Sequence, residues 1–102
     1  MRVIAEEPHA WFLLEDSGRL FVDMNISHGA FGGSLLIELD DAERSEHAAR
    51  GRSYVTRLAR QVQDSAPLSV DSDSEFRARD VSAEWDEAVS QAIVEWRAAA
   101  AG

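Results

Sequence analysis

The sequence predicts an α+β fold: an N-terminal antiparallel meander of three to four strands, covered on one face by two C-terminal helices in two layers. Three observations carry this. Apolar residues alternate up to about residue 40, as in strands with one buried face. Beyond it they recur every three or four positions, as in amphipathic helices. The connections among the first elements are short, which favours antiparallel neighbours over crossovers. With 102 residues, the chain fits a single α+β domain spanning 1–102.

Each element follows from its residues. Arg2 to Glu6 reads as a short edge strand ended by Pro8. His9 to Glu15 contains Trp11, Phe12, Leu13 and Leu14, apolar on both faces, so that strand is central or covered on both sides. Asp16-Ser17-Gly18 is a turn. Arg19 to Ile26 alternates most cleanly, with Leu20, Val22, Met24 and Ile26 on one side and Arg19, Phe21, Asp23 and Asn25 on the other. A Gly-rich loop is expected from Ser27 to Gly33, and Ser34 to Leu39 resumes the alternation. Asp40 or Asp41 caps a helix that runs to about Gln63, read as continuous through Gly51. Residues 64–75 are rich in Ser and Asp and read as a loop, and 76–81 as a short extended piece. A second helix starts at Ser82 with Trp85, Val89, Ala92, Ile93 and Trp96 as its stripe. Both helices are expected over the Leu20/Val22/Met24/Ile26 face, leaving the opposite sheet face open.

Composition narrows the function classes. There is no Cys, which removes disulfides, thiolate metal sites and cysteine catalysis. No apolar run approaches the ~20 residues of a membrane span, and Met1 to Pro8 does not read as a signal peptide. A cytoplasmic protein without a membrane partner is expected. The formal net charge is -9, which opposes nucleic-acid phosphates and favours basic partners. All ten cations are Arg; codon bias in a GC-rich bacterial genome is the plain reading of this usage, and selection for bidentate guanidinium pairing is the sharper one.

No motif carries catalysis, a metal or a cofactor. The loop His28-Gly29-Ala30-Phe31-Gly32-Gly33 joins two strands and matches neither the dinucleotide nor the P-loop fingerprint. The three histidines, His9, His28 and His47, form no metal spacing, and no serine sits in a nucleophile elbow. Arg50, Arg57 and Arg60 share one helix side and are expected to pair with the surplus acids.

The expected binding residues lie on the open sheet face and the loop beside it: Trp11, Phe21, Asp23, Asn25, His28, Phe31 and Glu38. Polar groups there would orient a partner, and aromatics would anchor it. The reading is a small acidic protein acting through a protein-protein interface, with an immunity-type, toxin-neutralising protein as one form. A homodimer would use the same apolar surplus. The alternative is a ligand- or metal-binding protein, or an enzyme, working through Asp23, Asn25 and Glu38 with His28.

Overall fold

The computed structural model describes all residues except Gly29, Ala30, Val70 and Gly102, together with the side chains of all but those and His28 and Phe31. Alternation in the first 40 residues folds as four antiparallel strands, β1 (Arg2–Glu7), β2 (Trp11–Asp16), β3 (Arg19–His28) and β4 (Phe31–Glu38), in the order β1-β2-β3-β4. Ser17 and Gly18 both take positive φ, 52° and 81°. That is the backbone a two-residue hairpin needs for its twist to match the strands, and Asp16 pairs directly with Arg19 across it. Pairing between β3 and β4 continues through Ile26↔Gly33 and Ser27↔Gly32 to His28↔Phe31. The long Gly-rich loop expected from Ser27 to Gly33 is therefore mostly strand. Gly29 and Ala30 lie outside the described residues.

Four helices follow: α1 (Asp41–Arg50), α2 (Arg52–Asp64), α3 (Glu75–Ala78) and α4 (Ser82–Ala101). Asp40 caps α1 through a reciprocal box, its carboxylate accepting from the Glu43 N–H at 2.8 Å while its own N–H donates to the Glu43 carboxylate at 2.9 Å. The expected continuous helix is broken at Gly51, where φ is 64° and ψ is -140°. Burial explains the break. Helix α1 buries no residue, whereas α2 buries Tyr54, Val55, Leu58 and Val62. A straight rod would carry α1 over the sheet without an apolar stripe to cover it.

The helices do not share one face. Helix α2 packs on Trp11, Leu13, Val22, Met24, Ile26, Leu35 and Ile37. Helix α4 packs on the other face, where Val89 and Ala92 with Trp85, Ile93 and Trp96 meet Val3, Leu14, Phe21 and Leu36. The sheet thus lies between two helical layers, a correction to the expected two-layer arrangement. Leaving Leu14, Phe21 and Leu36 in water would forfeit about 1.5–3 kcal/mol for each, and α4 is the element left to cover them.

The chain changes face around the edge of β4. Phe76 on α3 is still in the α2-side core. Asp80 then bridges to Ile37. The Leu36 N–H donates to the Asp80 carboxylate at 3.2 Å, and the Val81 N–H donates to the Leu36 carbonyl at 2.8 Å. The segment 76–81 is thus one helical turn followed by an edge contact, not the extended piece expected. Among the described residues no helix is long and apolar enough to cross a membrane.

Candidate functional site

The α4-side face of β3 grows more polar along the strand, from Phe21 to Asp23 to Asn25. Register places Asp23 between Phe12 on β2 and Leu36 on β4, and Asn25 opposite Ser34. Helix α4 crosses this face diagonally. At its start the Trp85 ring lies 4.9 Å from that of Phe21. Near its end the Trp96 Nε1–H donates to the Glu6 carboxylate at 2.9 Å, over β1. The Phe12–Asp23–Leu36 row therefore sits at the limit of helical cover, and the Asn25–Ser34 pair lies beyond it.

What remains between the helix and the sheet is a groove of about 670 Å³, whose lining includes His9, Asp23, Asn25, Ser34, Ile93 and Arg97. A smaller cavity of about 150 Å³ continues towards the start of α4 and adds Leu36, Asp86 and Val89. Asp23, Ser34, Ser90 and Ile93 line both. The Asn25 side-chain amide donates to the His9 carbonyl at 3.0 Å, which ties the turn before β2 to the groove wall.

Asp23 is the anomalous group. It is half-buried, and no described residue gives it a hydrogen bond or an ion pair. Burial, and then the nearby charges of Asp80 and Asp86, push its carboxyl up to about 6 from an ordinary 3.8. Arg97 lines the same groove, but its guanidinium lies 5.7 Å over the Phe12 ring.

The other expected site residues divide. Asn25 lines the groove with Asp23. Glu38 does not join them. It lies opposite Phe21 and accepts two hydrogen bonds from Arg19, at 2.9 and 2.7 Å. That bidentate pair holds the Glu38 carboxyl below the usual range, and the guanidinium covers the Phe21 and Trp85 rings at 5.4 and 5.2 Å.

Trp11 is on the α2 face and 2% exposed, with Arg52 stacked at 5.1 Å. Phe21 is fully enclosed beneath α4. The face expected to be open is thus largely covered, and Trp11, Phe21 and Leu36 form core, not an apolar surplus. The side chains of His28 and Phe31 lie outside the described set, although their backbones close the β3–β4 ladder.

The groove also uses residues not expected at the site, His9, Ser90, Ile93 and Arg97, and the smaller cavity adds Asp86. Spacing held a signal for some of them. Asp86, Ser90 and Val94 fall four apart, beside the apolar stripe of α4.

Among the described residues, Arg50 of the arginine row pairs with Glu46 at 2.7 Å and Arg57 and Arg60 pair with no acid, while Arg52, outside the row, pairs with Glu7 at 2.7 Å. Among the described residues no three His, Asp or Glu side chains are placed to hold a metal ion. No protein-family model, curated protein or solved structure matches the chain.

Proposed function

We propose that this chain is a small acidic binding protein that takes a basic segment of a protein partner into the groove between α4 and the end of the sheet. One observation carries the reading: Asp23 is a half-buried carboxylate with no counter-ion among the described residues and with further carboxylates nearby. A carboxylate so placed is more stable with a cation beside it. The net charge of -9 supports the same partner chemistry, because an acidic surface accelerates encounter with a basic protein. Neutralisation of a basic toxin is the specific form this reading favours.

The test is titration of the isotopically labelled chain with an arginine-rich peptide and with its glutamate counterpart. The basic peptide should perturb the amides of Asp23, Asn25, Ser34 and Ser90 and weaken with added salt. Binding that leaves those amides unmoved overturns the proposal.

A second reading has its own support. The groove volume, about 670 Å³, lies within the roughly 300–1,000 Å³ typical of small-molecule sites. A carboxyl titrating at about 6 also suits general acid–base work near neutral pH. A small-ligand binder or enzyme would be stabilised against heating by its ligand, and Asp23→Asn would remove that shift.

A further inference from the structure

We propose that the small cavity beside Asp23 is the anchor subsite of the groove, shaped to take the cationic head of one arginine or lysine side chain of a protein segment. The inference rests on reading the groove as the surface for a basic partner, and it names the group that would fix the partner's register.

Four features of the cavity point to that occupant. Its carboxylates come from separate elements, Asp23 from β3 and Asp86 from α4. The hydroxyls of Ser34, Ser82 and Ser90 add acceptors, and no cationic side chain among the described residues lines it. Guanidinium and ammonium groups are donors only, so this set complements them and repels an anion. The aliphatic walls, Leu36 and Ile93, suit the methylene stem that basic side chains bury behind their charge.

The size fits as well. About 150 Å³ admits a side-chain head with part of its stem, while the rest of a segment would lie in the larger groove. The two spaces join at Asp23, Ser34, Ser90 and Ile93. Finally, Asp86 and Asp80 repel the Asp23 charge. A seated cation turns that repulsion into attraction shared among the carboxylates.

The experiment uses the labelled full chain and a short capped peptide with one arginine between alanines, beside the same peptide with neutral citrulline in its place. The arginine peptide should give saturable shifts at Asp23, Ser34, Asp86 and Ser90. Its affinity should exceed that of the citrulline peptide, or that of the arginine peptide for Asp23→Asn/Asp86→Asn, by about tenfold, the scale of one charge-assisted contact. Both substitutions remove repelling charges, so the variant should fold.

Equal binding of the citrulline peptide, unchanged affinity in the double variant, or non-saturating shifts scattered over the acidic surface would each overturn the subsite. A short diamine that binds as tightly as the arginine peptide would overturn the protein-segment occupant. If an arginine-rich peptide still maps to the main groove of Asp86→Asn, which alters the small cavity alone, with undiminished affinity, the partner reading stands and the subsite alone fails. If no basic peptide reaches the groove, the partner reading itself fails.

Discussion

Replacing Asp23 by Asn should stabilise the protein at neutral pH, which is unusual for a substitution in a sheet facing a core helix. The folded carboxyl titrates at about 6 against an ordinary 3.8, chiefly because burial penalises its charge. At about 1.4 kcal/mol per pH unit, that gap corresponds to about 3 kcal/mol against the folded state once both forms are ionised. The groove leaves the carboxylate partly in water, and screening reduces the expected effect to about 1–2 kcal/mol.

The sign follows from proton counts. Between pH 4 and 6 the folded chain holds a proton on Asp23 that the unfolded chain has released, so stability falls as pH rises through that window. Above about 6 both forms are ionised and the penalty is complete. Urea unfolding of wild type and Asp23→Asn at pH 7 and pH 5 measures it. The variant should be more stable at pH 7 by about 1–2 kcal/mol, and the advantage should shrink at pH 5. Taking the difference between the two proteins cancels the histidines, which titrate in both. A variant no more stable than wild type at pH 7, or an advantage unchanged at pH 5, would refute the burial argument for Asp23 and weaken the case for a cation site.

Other substitutions test the frame around the groove. Gly51→Ala should destabilise by about 1–3 kcal/mol, because φ of 64° with ψ of -140° suits only glycine, and thermal unfolding would show it; a gain of about 1 kcal/mol would mean that α1 and α2 prefer to merge. Trp85→Phe should lower stability less than Trp96→Phe in urea unfolding. The buried Trp85 Nε1–H finds no hydrogen-bond partner among the described residues, so losing it relieves about 1–3 kcal/mol, whereas Trp96 gives up its bond to Glu6. Arg19→Gln should let the Glu38 carboxyl rise towards its ordinary value, since Arg19 is the main cause of its depression; a carbon-detected titration that finds Glu38 unmoved would assign the effect elsewhere.

The strands were legible because alternation is a local property. The clean run from Arg19 to Ile26 is all of β3 but its last two residues, and Ser82 does open α4. The ends were less legible where the signal is non-local. Glycine at positions 32 and 33 reads as loop, yet both residues pair in register with β3. Pairing there depends on a partner strand that propensity does not describe. Gly51 shows the opposite failure. The apolar positions Tyr54, Val55, Leu58 and Val62 all follow it, α1 has nothing to bury, and the sheet's position makes a break preferable to a straight rod.

The misplaced helix explains most of what was misjudged about the site. Trp11 to Leu14 is apolar on both faces, which already asked for cover on both sides of the sheet. Placing both helices on one face left Phe21 as an apparent partner anchor, whereas α4 encloses it. The polar residues were better guides. Asp23 and Asn25 lie on the face and in the order that alternation implies, because a strand fixes side-chain direction without reference to the rest of the fold. Glu38 shares that face but not the site, since its distance from Asp23 depends on cross-strand register and Arg19 engages it at the other end. Grouping the β3 and β4 residues by face was thus sound, whereas Trp11 on β2 belongs to the α2 face, and grouping by proximity required the register. It is register, together with the diagonal path of α4, that leaves Asp23 at the limit of cover, too buried to be fully solvated and too near water to be part of the core.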